Sequence, residues 1–184
     1  MRIVGGRFGG RVLLAPKSQA IRPTADRLRE SLFNILVHAY GDPVAGARVL
    51  DLFAGTGALG LEALSRGAAF TLFVDDGAEA RALIRGNVDA LGLGGATKIY
   101  RRDATKLGAT GPNGVFSLAF LDPPYGRMLA EPALVSAREG GWLAPGAVVV
   151  VEEAADAHVV APAGFAELER RDYGDTRLIV LRNS

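Results

Sequence analysis

Val49-Leu50-Asp51-Leu52-Phe53-Ala54-Gly55-Thr56-Gly57-Ala58-Leu59-Gly60 is the stretch on which the fold turns. Residues 49–53 read as a buried strand, and residues 57–66 as the helix that follows, closed by Gly67. Between them runs G-x-G-x-x-G, a spacing that lets a helix N-terminus come close to a ligand. Downstream the alternation continues, with a strand at 70–74, a helix at 78–91 and strands at 98–102 and 115–121. A helix at 130–139 and a strand at 147–151 complete it. Strand–helix alternation of this kind predicts an α/β, Rossmann-like protein, its sheet mostly parallel with helices on both faces. Two last strands, 166–171 and 177–181, are joined around Gly174 and Asp175, so they should add an antiparallel edge and bring the sheet to seven strands.

Upstream the pattern differs. Residues 1–5 and 11–15 are short apolar runs around two Gly-Gly pairs, the signature of a β-hairpin. After Pro23, Thr24 resembles a helix N-cap, although Arg27 stands where a capping box would place Glu or Gln. Leu28, Leu32, Ile35 and Leu36 then follow at helical spacing to about Ala39, and Gly41-Asp42-Pro43 ends the run. Residues 1–40 are therefore expected to form a hairpin-and-helix extension, and residues 41–184 the main domain.

The chain of 184 residues is 49% hydrophobic and 22% charged, the balance of a soluble globular protein. It has no cysteine, which excludes disulfides, thiolate zinc sites and cysteine nucleophiles and is compatible with a reducing cytosol. No apolar run approaches the roughly 20 residues of a membrane span, and the N-terminus lacks the apolar core of a signal peptide. A cytoplasmic location is the expectation. Net charge is only +1, but residues 1–36 carry seven bases against two acids, so that segment is +5 and the remainder −4. Such asymmetry points to an anionic partner or, more plainly, to a solvated basic face. His38 and His158 sit in ordinary surroundings, and no metal-ligand spacing is present.

Two kinds of cofactor use a glycine loop of this form, dinucleotides and S-adenosyl-L-methionine (AdoMet). Asp75, at the end of the second strand, suits the ribose hydroxyls of either. Asp51 favours AdoMet, because a carboxylate beside the loop repels a pyrophosphate and attracts an ammonium or sulfonium. On that reading Asp51, Phe53, Gly55, Gly57 and Asp75 hold the cofactor, and the helix N-terminus receives a carboxylate. Asp103 would accept from an adenine amino group, with the Ala104 amide donating to a ring nitrogen; the plainer alternative for Asp103 is a loop cap. Asp76, next to Asp75, is the other candidate for the ribose, and Asp75 is preferred.

Asp122-Pro123-Pro124-Tyr125 leaves the fourth strand where the crevice of such a sheet opens. Two prolines fix the backbone and remove two N–H donors. A carboxylate and a rigid carbonyl would accept both hydrogens of an exocyclic base amine, whose lone pair is otherwise delocalised, and turn that lone pair toward a methyl donor. Tyr125 would stack on the extruded base. A proline-rich turn with no such role is the alternative.

Taken with Met1-Arg2-Ile3-Val4-Gly5-Gly6-Arg7 and with Arg22-Pro23-Thr24-Ala25-Asp26-Arg27-Leu28-Arg29-Glu30-Ser31-Leu32-Phe33-Asn34, these motifs resemble the bacterial 16S ribosomal RNA guanine-N2 methyltransferase family of the small subunit. The likeness spans nearly the whole chain. It implies a class I AdoMet-dependent methyltransferase fold with an N-terminal hairpin extension. It also implies AdoMet as donor and a guanine of 16S RNA, in the 30S subunit or an assembly intermediate, as acceptor. Neither a metal nor a membrane is implied, and a monomer is expected. Arg2, Arg7, Arg11, Arg22, Arg27 and Arg29 would contact RNA phosphates, which position a nucleic acid without reading it. DNA amino methylation and protein-glutamine methylation are the competing enzyme readings. An RNA-binding module with a vestigial cofactor site is the non-enzyme one.

Overall fold

The computed structural model describes residues 1–18 and 25–184. Seven strands form one sheet: β1 (Arg48–Leu52), β2 (Phe70–Val74), β3 (Thr97–Tyr100), β4 (Phe116–Leu121), β5 (Leu143–Ala154), β6 (Phe165–Tyr173) and β7 (Thr176–Asn183). Their order is β3-β2-β1-β4-β5-β7-β6. The first five are parallel, while β7 runs antiparallel to β5, and β6 antiparallel to β7. Within the closing hairpin it is β7 that sits inside and β6 that takes the edge. Composition explains the choice: Leu178–Leu181 of β7 is a continuous buried run, whereas β6 is mostly charged and exposed.

Helices α1 (Asp26–Ala39), α2 (Ala58–Ser65), α3 (Ala78–Leu91) and α4 (Ala130–Glu139) cover the sheet. The period-two alternation of the strands decides which helix each side chain meets. Leu50, Leu52, Ala119, Leu121, Val149 and Val151 share a core with α4. Val49, Leu118, Phe120, Val148 and Val150 pack against Leu32, Phe33 and Leu36 of α1 and Leu59 and Ala63 of α2. Trp142, fully buried, stacks on Phe116 and donates its indole N–H to the Gly108 carbonyl at 2.8 Å.

The first residues form a hairpin, joined by an antiparallel bridge between Arg2 and Val12 and by the Ile3 N–H bond to the Arg11 carbonyl. It packs against α2, β2 and α3. Ile3 and Leu13 are buried with Leu61, Leu64, Phe73 and Ile84. The Val4 and Gly5 amides both donate to Glu62 of α2 at 2.9 Å.

Three expectations need correction. The third strand ends at Tyr100 rather than at residue 102. The fifth is far longer than 147–151, running over Leu143–Ala154 across a register shift against β4. The N-cap of α1 is Ala25, without a side-chain cap, and Thr24 lies outside the described residues.

Candidate active site

The sheet reverses direction between β1 and β4: chain order runs from β1 outward to β3, then returns to add β4 on the other side. Ligand crevices in such sheets open at the carboxyl ends of the strands that flank this reversal. Register brings the two key segments together. Leu52 pairs with Leu121 and with Val74, so Phe53, Asp122 and Asp75 leave three adjacent strands at one level. The Asp122 amide donates to the Leu52 carbonyl at 3.4 Å.

A cavity of about 540 Å³ opens there, a size suited to a nucleoside-bearing cofactor. Its wall contains Asp51, Phe53, Gly55, Asp75 and Asp76, together with Glu79 and the whole run from Asp122 to Tyr125. Five acidic residues therefore line it (Asp51, Asp75, Asp76, Glu79 and Asp122), and among the described residues none of the lining ones is basic. Like charges about 4 Å apart repel by roughly 4 kcal/mol in such a partly buried setting. Carboxylates gathered this way disfavour a pyrophosphate and favour a cation.

The loop geometry follows from its glycines. Gly57, at φ 82°, lies in the left-handed region just before α2 and lets the chain turn from strand into helix. Gly60 allows α2 to lie close to the sheet: a Cβ there would sit 2.5 Å from the Phe73 ring and 3.0 Å from Asp51 Oδ2. Phe53 holds φ 55° without being glycine, a conformation disfavoured for a bulky residue and found here at the loop that bends around the cavity.

Asp51 is 1% exposed; its Oδ2 accepts the Gly60 amide at 3.0 Å, and among the described residues its Oδ1 has no hydrogen-bond partner. Burial pushes its carboxyl well above the usual carboxylate range; the Gly60 amide opposes that, and Asp75 adds to it. An orphaned buried carboxyl oxygen in a cavity wall fits a cationic ligand such as the ammonium of AdoMet. Asp75 is likewise raised by burial, against the amides of Gly55 and Gly77, which donate to its two oxygens at 2.9 Å each. It ties the glycine loop to the start of α3.

Asp103 and Ala104 are not part of this wall. Asp103 caps a short turn, its Oδ1 accepting from the Thr105 amide and hydroxyl, which hold its carboxyl below the usual range. The reason lies in the shortened β3. Asp75 is the first residue beyond β2, but Asp103 is the third beyond Tyr100, and each extended residue carries the chain about 3.3 Å onward.

The basic set also divides. Arg2, Arg7, Arg11 and Arg27 are exposed, and Arg22 lies outside the described residues. Arg29 is the correction: it is fully buried, donating to the Arg2 carbonyl at 2.8 Å and pairing with Glu62 at 3.3 Å and with Asp26. Helical spacing could not reveal this, because the buried acid that attracts Arg29 belongs to α2.

Sequence reasoning missed Glu152 and Glu153, at the carboxyl end of β5. Glu152 accepts from the Tyr125 hydroxyl at 3.1 Å, and Glu153 from the Gly126 amide at 3.3 Å. The signal was a pair of acids closing the apolar run Val148–Val151, where both side chains are almost wholly buried.

A parallel sheet that reverses beside an acidic cavity, with an Asp-Pro-Pro-Tyr turn in its wall, defines a class I AdoMet-dependent methyltransferase. The family described as Conserved hypothetical protein 95 matches residues 1–182. Ribosomal RNA small subunit methyltransferase D of Escherichia coli K12 is 42% identical over 153 residues, which cover 83% of this chain and 74% of that protein. Its namesake in Haemophilus influenzae is 33% identical over 95% of this chain and 89% of its own. The solved yhhF structure from E. coli superposes with a TM-score of 0.83 at 32% identity, covering 100% of this chain and 97% of its own. The chain belongs to the ribosomal RNA small subunit methyltransferase D family.

Proposed function

We propose that the protein transfers the methyl group of AdoMet to the exocyclic N2 of a guanine in 16S ribosomal RNA, acting as a monomer in the cytoplasm on the 30S subunit or an assembly intermediate. The observation that carries this reading is the shared level at which Asp122 and Phe53 leave β4 and β1, which puts the Asp122 turn and Asp51 in the wall of one cavity. The names of the relatives support ribosomal RNA as the substrate class, and the Asp122 turn supports an exocyclic amine as acceptor.

AdoMet supplies an electrophilic methyl group on a sulfonium. Asp51 would hold its ammonium, and the first turn of α2 its carboxylate. Asp75 and the glycine loop shape the ribose side, with exposed Asp76 beside it. Asp122 and the Pro123 carbonyl accept the two N–H bonds of the guanine amine and aim its lone pair at the methyl carbon. Asp122 would also take the surplus proton from the nitrogen once the amine carries the methyl group and the sulfur has kept the electron pair of its broken bond. Pro124 stiffens the turn, and Tyr125 keeps the base in line.

The test supplies labelled AdoMet with 30S particles, naked 16S RNA, DNA and ribosomal proteins in separate reactions, followed by nucleoside analysis. Label in N2-methylguanosine from 30S particles or 16S RNA is expected. Asp122→Ala should lower kcat by about 100-fold or more, the usual cost of removing a preorganised transition-state partner. Label confined to DNA or protein, or an unimpaired Asp122→Ala enzyme, overturns the proposal.

A further inference from the structure

Tyr125 lines the cavity, yet its hydroxyl is tied at two points outside the Asp122 turn. The oxygen lies 3.1 Å from Glu152 Oε1 on β5 and 2.6 Å from Thr176 Oγ1 at the start of β7. A phenol has one hydrogen to give. With that hydrogen directed to the carboxyl oxygen, Thr176 must donate to the tyrosine oxygen, and the chain of bonds runs Thr176 to Tyr125 to Glu152. Next to it the Gly126 amide donates to Glu153 Oε1 at 3.3 Å, so the turn is held again one residue later. Glu152 and Glu153 are 3% and 1% exposed, and Thr176 pairs with Ala154 across β5 and β7. These anchors stand on two packed antiparallel strands rather than on the loop.

Resting on the proposed role of Tyr125 against the target base, we infer that Glu152 and Thr176 are positioning residues, which fix the plane of the Tyr125 ring through its hydroxyl. The ring would otherwise turn about two side-chain torsions on an exposed turn, where Pro124, Gly126 and Arg127 are all solvated. Fastened at its far end, it meets the base in one orientation and leaves little freedom to be lost when RNA binds. Neither residue touches substrate in this scheme. Their influence passes through one oxygen atom, and that gives the inference a sharp test.

A double-mutant cycle on Tyr125→Phe and Glu152→Ala reads it, with labelled AdoMet and 30S particles as substrates. Glu152→Ala should lower kcat by about 10-fold, the order expected when a reacting partner is slightly misplaced. It should leave AdoMet affinity, measured by calorimetry, at the parental value. In the Tyr125→Phe background, where the hydroxyl is already gone, the same substitution should change kcat by less than about twofold. Glu152→Gln, which keeps an acceptor oxygen, should restore most of the loss. A 10-fold loss that persists undiminished in the Phe background, or parental kcat in Glu152→Ala, overturns the inference. Should Glu152→Ala fail to fold by circular dichroism, Thr176→Val takes its place in the cycle with the same criteria. Tyr125→Ala separates the two levels of the argument. If it is as active as the parent, the base-holding reading fails; if it is impaired while Glu152 and Thr176 act independently of the hydroxyl, only the positioning inference fails.

Discussion

At the scale of the residue, Asp51 shows how a binding site is built at the expense of stability. Its side chain lies on the α2 face of β1, where burial raises its pKa and one oxygen lacks a partner. The unfolded chain releases that proton at the ordinary carboxyl pKa, the folded protein only at higher pH. Stability associated with Asp51 is therefore full at acidic pH and is lost as pH rises through the raised value; Asp75, shifted the same way, adds to the trend. A bound ammonium reverses the balance by favouring the ionised form. Asp51→Asn is thus expected to raise the melting temperature of the ligand-free protein at pH 7 by about 2–4 °C while weakening AdoMet by about 10- to 100-fold. Calorimetry of both proteins checks the pair of effects, and affinity for AdoMet in the parent should fall as the solution is made acidic. An Asp51→Asn protein that binds AdoMet as tightly as the parent would remove Asp51 from the cofactor site.

Among the elements, α2 carries two tasks on its opposite ends and faces. Its first turn faces the cavity, with the Gly60 amide held by Asp51. From its middle, Glu62 gathers the Val4 and Gly5 amides, Arg29 from α1 and Arg66 into one buried cluster. Asn87 of α3 makes a second link, accepting the Leu14 amide at 2.7 Å and donating to the Thr56 carbonyl of the glycine loop at 3.0 Å. Hairpin and cofactor loop are thereby parts of one hydrogen-bonded structure. Removing a single member of a buried ion cluster leaves the rest uncompensated, so Glu62→Ala should cost about 3–5 kcal/mol. Denaturant unfolding measures the loss, and limited proteolysis should show cleavage between residues 5 and 11 well before the main domain is cut. The elements themselves were legible in sequence: α3 and α4 have the boundaries their periodicity predicts, and the glycine loop sits between β1 and α2 as read. Glu62 was not legible, since an acid inside an apolar helix reveals its role only when the amides and guanidinium it serves are brought beside it.

Across the whole molecule, charge and topology divide the labour. The acids of the cavity gather where the sheet reverses, while Arg2, Arg7 and Arg11 stand exposed on the hairpin and Arg27 on α1. That separation suits an enzyme that binds a cationic donor in one place and polyanionic RNA in another. Replacing Arg7 and Arg11 together by alanine should weaken binding to 30S particles or 16S RNA and lower the slope of log affinity against log salt by about 1–2, as expected for two lost phosphate contacts. AdoMet affinity should stay at the parental value. Unchanged RNA binding would make the hairpin arginines bystanders and its role a structural one.

Local chemistry determined much of this protein from the sequence alone. Glycine spacing, strand and helix periods and the proline-stiffened turn depend on neighbours along the chain, so fold class and cofactor type could be read directly and the Asp122 turn singled out as the candidate reacting loop. Packing decided the rest. Arg29 turned inward because an acid from another helix was buried beside it, and Asp103 became a turn cap because β3 ends at Tyr100. Glu152 met Tyr125 only when strands distant in sequence lay side by side. Contacts between residues far apart in the chain have no local signature, because their energies exist only after the backbone has folded.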